Sequence, residues 1–438
     1  MAGRITVVGA GVSGQAIALW AKKLGASVFV TDMKKELAPE ICLGFRNAGI
    51  EWETGGHSPR CCECDQMVVS SGVSPASEAV KQAEGRGIPV VGELEFLAPW
   101  LPGKTIAVTG TNGKTTTTAL LGHLLRCRGQ SVAVVGNIGE PLANAAGTAV
   151  DYTVMELSSF QLHWNKSFTP QVALLTNLAP DHIDWHGSYE NYVADKLKVF
   201  GRPGKGNWEI VQARDAALVP SGGSVCTLGG TEGTRIYWDD QAVWLERDSG
   251  REKLFDRSQL SLVGQHNLEN AAMAGAALAL IDKSFAPLQG LSDFLPPPHR
   301  CQLVRVRRGV TWVDDSKGTN VASTRTALEG IDGPKIIILG GKGKGEKYET
   351  LAQTVKARAR NVILIGAESD KIEAALREAG VQSIHRTSCM EEVVSTADGL
   401  ARPGDTVLLS PACTSWDMYQ SYEQRGDHFK RLVMALPD

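Results

Sequence analysis

The chain has 438 residues, of which 43% are hydrophobic and 21% charged, and its formal net charge is −3. This length suffices for two or three domains, and the composition is that of an ordinary globular protein. The near-neutral charge and the absence of a long apolar run argue against nucleic-acid binding and membrane insertion. The amino terminus leads directly into a predicted strand, so we expect a cytoplasmic protein. Nine cysteines, an odd number, favour reduced thiols, and Cys61, Cys62 and Cys64 lack the paired spacing of a zinc knuckle.

Residues 1–92 are predicted to form a small α/β domain. A strand at residues 5–8 leads into the GxGxxG turn at 9–14, a helix follows, and a second strand at 27–30 leads to Asp32. In this βαβ setting, the glycines let a pyrophosphate approach the helix N-terminus. Taken alone, this fingerprint indicates NAD. A fold that holds another diphosphate, or none, stays open, because the segment is too short for a complete dehydrogenase.

A second α/β domain, residues 93–298, begins with a predicted phosphate-binding loop. Residues 105–108 predict a buried strand, and apolar residues from 119 to 125 fall at helical spacing. The loop between them can hold phosphate with its backbone N–H groups and the helix N-terminus. Lys114 is expected to reach the outer phosphates of ATP, and Thr115 to bind their Mg²⁺. Val108 stands where a standard loop has a glycine, so a tight turn with an exposed lysine is the alternative. The loop consists of Gly110, Thr111, Asn112, Gly113, Lys114, Thr115 and Thr116.

Two further residues and one of two helical lysines of this domain are candidates for the same site. Glu156 ends a predicted strand after the phosphate loop, where a carboxylate can organise Mg²⁺. His182 follows the next buried strand, at the edge where open α/β sheets bind ligands. Lys196 and Lys198 are two apart on a predicted helix, so one of them can point inward. The alternatives are a helix cap for Glu156, a structural role for His182 and solvent exposure of both lysines.

The rest of the chain completes this domain and a third one. Residues 207–260 predict short strands in an antiparallel insertion, and a helix opens near residue 265 with Asn267 and Asn270 on one face. These amides either contact a base or cap the helix. Pro296 to Pro298 mark a boundary. Residues 299–438 predict a hairpin (303–306 and 310–313), strands at 335–339, 361–365 and 406–409, and a final helix after residue 415. The predicted fold class is α/β, with a Rossmann-like first domain, a central P-loop-type ATPase domain with a mostly parallel sheet, and a Rossmann-like third domain.

The order of the short motifs resembles that of the Mur ligase family over nearly the whole chain. The motifs are GTNGKTTT, GNIG, ELSSFQL, N-x-x-x-DH-x-D, ADK, GQHNLENA, PHR, DDSKGTN, GGKGKG and LLSPACTSWDMYQSYEQRGDHF. The resemblance implies an ATP-dependent ligase of peptidoglycan precursor synthesis that forms an amide bond through an acyl phosphate. The first GxGxxG and the last motif are most similar to those of the members that add D-glutamate to UDP-N-acetylmuramoyl-L-alanine.

The resemblance also implies a role for each matching residue. Those implied in catalysis are Lys114, Glu156, His182, Lys196 and Lys317. Two Mg²⁺ ions would be held by Thr115, Glu156, His182 and Lys196 as a CO₂-derived carbamate. Beyond the phosphate loop, ATP would contact Asn267, Asn270, Arg300 and Asp315. D-Glutamate would contact Lys317, Thr319, Lys344, Ser415 and Tyr422. The UDP-sugar would contact Gly11, Val12, Ser13, Asp32, Met33, Ser70, Ser71, Gly72 and Asn137.

The loop after Val69 reads Ser-Ser-Gly-Val-Ser-Pro and departs from the family's Ser-Pro-Gly at the residues implied to contact uracil. The main alternatives are a sister Mur ligase that adds another amino acid, such as L-alanine to UDP-N-acetylmuramate, and an NAD-dependent oxidoreductase. We expect a monomer that uses the two substrates above and binds neither nucleic acid nor membrane.

Overall fold

The computed structural model describes residues 3–137, 139–202, 204, 206–220, 222–229, 234–260, 262 and 264–438, with Asp184 described by its backbone alone. The strands of these residues form three sheets, which confirms the α/β fold class. The chain divides into two compact units, Met1–Gln259 with Asn270–Ser292 and Leu260–Glu269 with Asp293–Asp438. The predicted domain boundaries after residues 92 and 298 stay predictions. Among the described residues, no helix is both long and apolar enough to cross a membrane.

The first sheet is entirely parallel and has the order β3-β2-β1-β4-β5. Its strands are β1 Arg4–Val8, β2 Ser27–Asp32, β3 Glu51–Thr54, β4 Gln66–Val69 and β5 Val90–Gly92. The helices are α1 Val12–Lys23, α2 Pro39–Asn47, α3 Glu78–Gly85 and α4 Glu93–Leu97. The strand order reverses between β1 and β4, so the carboxyl ends of these strands open the crevice in which such sheets bind ligands.

The second sheet belongs to the same compact unit and has the order β14-β13-β12-β11-β10-β9-β6-β8-β7. Its strands are β6 Lys104–Thr109, β7 Val132–Gly136, β8 Tyr152–Glu156, β9 Val172–Leu175, β10 Trp208–Gln212, β11 Ser224–Leu228, β12 Ile236–Trp238, β13 Ala242–Arg247 and β14 Gly250–Asp256. The helices that follow these strands are α5 Lys114–Cys127, α6 Ser159–His163, α7 Ile183–His186, α8 Tyr189–Leu197 and α9 Gln265–Ile281.

The predicted antiparallel insertion over residues 207–260 is only partly correct. β10, β11 and β12 continue the parallel pairing from β9 and extend the main sheet, and among the described residues only the β12–β13 and β13–β14 pairings of this segment are antiparallel. The reason is burial, since Ile210 and Val211 are completely buried. A strand buried on both faces is typical of a parallel sheet, whereas an exposed meander has one wet face.

The third sheet lies in the second compact unit and has the order β15-β16-β20-β17-β18-β19. Its strands are β15 Gln302–Arg307, β16 Val310–Asp314, β17 Lys335–Leu339, β18 Ala359–Leu364, β19 Ile384–Arg386 and β20 Thr406–Leu409. The helices are α10 Val321–Gly330, α11 Glu349–Arg358, α12 Ser369–Glu378, α13 Met390–Leu400 and α14 Tyr422–Met434. The predicted hairpin is confirmed as antiparallel β15–β16, and the other pairings are parallel. The short strand β19 was not predicted.

Candidate active site

The loop between β6 and α5 depends on its two glycines. Gly110 and Gly113 have φ angles of 144° and 82°, a region that other residues rarely adopt. A Cβ on Gly110 would lie 1.9 Å from Thr176 Oγ1, and one on Gly113 would lie 2.4 Å from Asn270 Oδ1. The helix starts immediately afterwards, at Lys114. The loop therefore presents a helix N-terminus at the edge of the sheet, which is the geometry that binds phosphate.

The segment after β9 holds this loop in place. Thr176 Oγ1 donates to the Asn112 carbonyl oxygen at 2.5 Å, and Asn177 Nδ2 donates to the same oxygen at 3.0 Å. In return, Asn112 N donates to Asn177 Oδ1 at 2.9 Å. Neither Thr176 nor Asn177 was predicted as a site residue, although Asn177 begins the N-x-x-x-DH motif. The motif thus has a structural role beside any role of His182.

Two lysine amines meet at one carbonyl of the phosphate loop. Lys114 Nζ donates to the carbonyl oxygens of Gly110 and Thr111, each at 2.8 Å, and Lys196 Nζ donates to that of Gly110 at 2.7 Å. The Lys196 residue is only 2% exposed, and its amine lies 4.8 Å from the Tyr192 ring centroid. The prediction that one of the two helical lysines points inward is therefore confirmed.

The electrostatic environment of Lys196 disfavours its charged form. Burial lowers the pKa of Lys196 well below its ordinary value, and the nearby positive charge of Lys114 lowers it further. The carboxylates of Asp181 and Glu156 act in the opposite direction. Glu156, Lys196 and Lys114 thus belong to one electrostatic cluster at the phosphate loop.

Glu156 has one carboxylate oxygen available for a cation. The residue is 1% exposed, and its Oε1 accepts a hydrogen bond from Asn137 Nδ2 at 2.8 Å. Its Oε2 is buried and has no hydrogen-bond partner among the residues that the structure describes. Leaving such an oxygen buried and unpaired is costly, and a hard divalent cation would satisfy it. The residues present therefore fit the predicted metal.

His182 caps helix α7 at the same end of the sheet. It has a φ of 52°, its ring centroid lies 4.8 Å from that of Phe160, and its Nε2 is 3.6 Å from Asp181 Oδ2. Among the described residues, no group of three or more His, Cys, Asp or Glu side chains is arranged to hold a metal. The predicted ligand set differs from such a group, because it combines Glu156 and His182 with a threonine and a carbamate.

The predicted UDP-sugar residues of the first sheet lie at the carboxyl ends of β1, β2 and β4. Gly14 is needed for close packing, since its Cβ would lie 1.8 Å from the Gly9 carbonyl oxygen. Asp32 Oδ2 accepts from Ala10 N at 2.6 Å, and Oδ1 accepts from Lys34 N at 2.8 Å. Asp32 therefore shapes the glycine turn, instead of presenting both oxygens to a ribose as in an NAD site.

The other predicted UDP-sugar residues are placed around this crevice. Val12 and Met33 are 71% and 66% exposed, so they offer apolar surface next to the turn. Ser70 is buried, and a Cβ on Gly9 would lie 2.3 Å from its Oγ. The full predicted set at the three strand ends is Gly11, Val12, Ser13, Asp32, Met33, Ser70, Ser71 and Gly72. Asn137, the remaining predicted UDP-sugar residue, follows β7 in the second sheet, and its Nδ2 donates to Glu156 Oε1.

In the second compact unit, the predicted ATP residue Asp315 is buried and engaged. Ser410 Oγ donates to Asp315 Oδ2 at 2.6 Å, and Cys301 N donates to Oδ1 at 3.2 Å. Burial raises the pKa of Asp315 to about 7. Arg300 lies near enough to favour its charged form. Along helix α9, Asn267 and Asn270 are three residues apart on one face and are both largely buried.

The predicted D-glutamate residues lie on three loops of the second unit. Lys317 Nζ lies 3.8 Å from the centroid of the Tyr422 ring, which brings the DDSKGTN loop to the start of α14. Lys342 and Thr414 exchange two backbone hydrogen bonds of 2.9 Å, which ties the GGKGKG loop of Lys344 to the loop of Ser415. Thr319 N donates to the Lys317 carbonyl oxygen at 2.8 Å.

Arg425 joins two of these loops and was not predicted. Its guanidinium is buried and donates to Ser316 Oγ and O at 2.9 and 2.8 Å, to Cys413 O at 3.1 Å and to Thr414 O at 3.2 Å. Burial lowers the pKa of Arg425 to about 10. Its position in the YEQRGDHF motif was the available signal, but nothing in the sequence showed its partners.

Comparison with known proteins assigns the family. Three family models match successive segments: "MurD N-terminal domain" over residues 4–79, "Mur ligase middle domain" over 108–278, and "Mur ligase, glutamate ligase domain" over 299–413. A relative from Pelotomaculum thermopropionicum is 38% identical over 444 residues, which cover 99% of this chain and 98% of the relative. The chain therefore belongs to the Mur ligase family, as its motifs predicted.

Within the family, the similarity is to one particular member. The Pelotomaculum relative is named UDP-N-acetylmuramoylalanine–D-glutamate ligase, and so is a relative from Geotalea uraniireducens, which is 38% identical over 99% of this chain and 98% of its own length. Among solved structures, UDP-N-acetylmuramate-alanine ligase of Thermotoga maritima has a TM-score of 0.59 and 19% identity, with 99% of both chains covered. MurF ligase of the same organism, in complex with ADP, has a TM-score of 0.58 and 18% identity over 84% of this chain and 95% of its own. At this identity, the two structures establish the fold.

Proposed function

We propose that this protein joins D-glutamate to UDP-N-acetylmuramoyl-L-alanine in an ATP-dependent reaction that releases ADP and phosphate, in peptidoglycan precursor synthesis. The observation that carries the proposal is the meeting of Lys114 and Lys196 at the Gly110 carbonyl, with a buried Glu156 in the same electrostatic cluster. A phosphate loop, an acidic residue and a buried lysine together suit phosphoryl transfer to a carboxylate. The names of the relatives supply the identities of the two substrates.

In the first step, the carboxylate of the alanyl arm attacks the γ-phosphate of ATP, which gives an acyl phosphate and ADP. Hydroxide is a poor leaving group and phosphate a good one, so this step prepares the carbonyl for the amine. The step requires chiefly alignment and charge neutralisation. Lys114 contacts the outer phosphates when it leaves the loop carbonyls, and backbone N–H groups from Gly110 to Thr116 hold the others. Asn267, Asn270, Arg300 and Asp315 would contact the rest of the nucleotide.

Two Mg²⁺ ions would be held by Thr115, Glu156, His182 and a carbamate on Lys196, and they would neutralise the phosphate charge. Carbamylation of Lys196 by CO₂ replaces a cation by an oxygen anion, which is the type of ligand that Mg²⁺ prefers. The unpaired Oε2 of Glu156 supports this assignment.

In the second step, the amine of D-glutamate adds to the carbonyl carbon of the acyl phosphate, its nitrogen gives up a proton, and the tetrahedral species expels phosphate to leave the amide. Lys317 would steady the oxyanion. Lys317 and Lys344 suit the two carboxylates of the amino acid, with Thr319, Ser415 and Tyr422 around them. Asn137 and the turn residues of the first sheet would hold the UDP-sugar. We expect the enzyme to act as a cytoplasmic monomer.

The test is phosphate release with ATP, UDP-N-acetylmuramoyl-L-alanine and each amino acid in turn. With this UDP-sugar, we expect D-glutamate to be the one amino acid that gives phosphate release. We expect no release when the substrates are UDP-N-acetylmuramate and L-alanine. Release with the second pair would identify a sister ligase. Tight binding of NADH without affinity for the UDP-sugar would favour an oxidoreductase, which the engagement of Asp32 within its own turn argues against.

A further inference from the structure

One carboxylate beside the buried lysine makes three charge-assisted contacts. Asp195 Oδ2 accepts hydrogen bonds from His163 Nδ1 at 2.8 Å and from His186 Nδ1 at 2.9 Å. Its other oxygen, Oδ1, accepts from Lys198 Nζ at 2.8 Å. Asp195 is 6% exposed, and the His186 side chain is completely buried. Hydrogen bonds to an ionised carboxylate are about twice as strong as neutral ones. Asp195, His163, His186 and Lys198 therefore form a stable cluster, which we call the Asp195 junction.

The junction connects the three short helices beside the predicted metal ligands. His163 is the last residue of α6, which begins three residues after Glu156. His186 is the last residue of α7, which His182 caps. Asp195 belongs to α8, next to Lys196. Each of the two histidine partners of the Asp195 carboxylate thus comes from the helix that follows another predicted ligand.

The direction of the Lys196 side chain follows from this arrangement. Successive residues on a helix project about 100° apart, so fixing Asp195 against α6 and α7 also fixes where Lys196 points. Its amine then reaches the Gly110 carbonyl at 2.7 Å. Lys198 adds to the contact between α8 and α6, because its Nζ donates to the His163 carbonyl oxygen at 2.6 Å as well as to Asp195.

His186 extends the junction to the other end of α6. Its second ring nitrogen, Nε2, lies 2.9 Å from Ser159 Oγ, and Ser159 is the first residue of that helix. Both ends of α6 are therefore tied to Asp195, directly through His163 and indirectly through His186. A rotation of α8 would break these bonds together.

We propose that Asp195 is a positioning residue for the metal site and sets the mutual placement of Glu156, His182 and Lys196. The proposal rests on the proposed function, which assigns these three residues as ligands. Groups that orient metal ligands typically change metal affinity by 10–100-fold when they are replaced. The Asp195 carboxylate is held by His163, His186 and Lys198 and is not among the proposed ligands, so its effect would be on affinity for the metal.

The test is Asp195→Asn in the full-length protein, with Mn²⁺ binding in the presence of ADP followed by electron paramagnetic resonance. We expect Mn²⁺ to bind roughly tenfold more weakly, with a matching rise in the Mg²⁺ concentration that half-saturates phosphate release. The KM for D-glutamate should not change. The matched control is Asp239→Asn, because Asp239 accepts three hydrogen bonds, from Gln241 N, Ala242 N and Trp244 Nε1, in an exposed turn of the same unit. It should bind Mn²⁺ as the wild type does.

A second variant, His163→Asn, removes one hydrogen bond of the junction at a side chain that is 30% exposed. If Asp195→Asn does not fold, this variant tests whether the junction positions the metal ligands. It should weaken Mn²⁺ binding by a smaller factor. Folded variants that bind Mn²⁺ as tightly as the wild type would overturn the role of Asp195 and leave the proposed function intact. A wild-type protein that binds Mn²⁺ and ADP but releases no phosphate with D-glutamate would overturn the proposed function instead.

Discussion

Lys196 Nζ donates a hydrogen bond of 2.7 Å to the carbonyl oxygen of Gly110, so a buried helical lysine touches the first residue of the phosphate loop. The two residues are 86 positions apart in sequence. Their contact joins helix α8 to the loop that begins α5, and it places an amine with a lowered pKa beside the predicted phosphates.

Replacing Lys196 by alanine should reduce D-glutamate-dependent phosphate release by about 10²-fold or more, a loss of the size seen when one group that stabilises transition-state charge is removed. The physical reason is the loss of the proposed carbamate anion from the metal site. A short carboxylic acid added to the assay should restore part of the activity, because it can occupy the space and supply the anion. Lys166→Ala, at an exposed lysine of the same unit, should keep wild-type activity. Full activity in Lys196→Ala would contradict the assignment.

Removing the aromatic ring of Tyr422 should raise the KM for D-glutamate. The Lys317 amine lies 3.8 Å from the ring centroid, and a cation held over a ring gains about 0.5–2 kcal/mol. Tyr422→Leu should therefore raise the KM for D-glutamate about three- to thirtyfold. Tyr422→Phe keeps the ring and should behave as the wild type. Steady-state kinetics at saturating ATP and UDP-sugar measure both, and equal KM values for the two variants would rule out a role for the ring.

Asp32→Asn should weaken UDP-sugar binding, as measured by isothermal titration calorimetry. The carboxylate accepts from two backbone N–H groups, of Ala10 and Lys34, whereas an asparagine has one acceptor and would turn an NH₂ group toward the second. An unmade buried hydrogen bond costs about 1–3 kcal/mol, and we expect a loss of about tenfold in affinity. Asp65→Asn is the control, since Asp65 accepts from Arg4 N at the opposite end of β1. An unchanged affinity in Asp32→Asn would place the UDP-sugar elsewhere.

The stability of the first unit should depend on pH through Glu209. Its two carboxylate oxygens are buried without hydrogen-bond partners among the described residues, and burial raises its pKa from 4.5 to about 7. The folded state therefore holds this proton more tightly than the unfolded chain. The resulting stabilisation is complete below pH 4.5 and is lost as the pH rises through about 7.

Glu209→Gln removes the charge that must be buried at higher pH. The variant should melt at a higher temperature than the wild type at pH 8, and the difference should shrink at pH 5. Thermal denaturation at the two pH values measures this. Glu246→Gln, at an exposed position of β13 in the same sheet, should show no such change with pH. A constant difference between Glu209→Gln and the wild type at both pH values would contradict the raised pKa.

The sequence predicted much of the candidate site because its residues follow neighbouring parallel strands of one sheet. Glu156 ends β8, and Lys114 follows the loop after β6, and the carboxyl ends of these two strands share an edge. Strand patterns reveal such ends without any knowledge of long-range contacts. The same logic located His182 after β9.

Helical spacing left the choice between Lys196 and Lys198 open; the family resemblance assigned Lys196, and the structure supplies the physical reason. Both are lysines on one helix, and spacing shows only that they face different directions. The choice is made by their partners, since Lys198 pairs with Asp195 while Lys196 reaches Gly110, 86 residues upstream. The direction of β10 was also beyond the sequence, because a short apolar run fits a parallel and an antiparallel neighbour equally well. The hydrogen bonds that Asp32 accepts from Ala10 N and Lys34 N could likewise not be predicted from the sequence.

The buried guanidinium of Arg425 links two loops that are far apart in sequence, so we expect the two loops to move together. It donates hydrogen bonds to the backbone carbonyl oxygens of Ser316, Cys413 and Thr414. The stretch that carries Lys317 is therefore tied to the stretch that carries Ser415. Amide hydrogens of the two stretches should therefore exchange with solvent in a common opening event. Substitutions in either loop would be constrained by the other loop, and the proposed D-glutamate site would change shape as a whole.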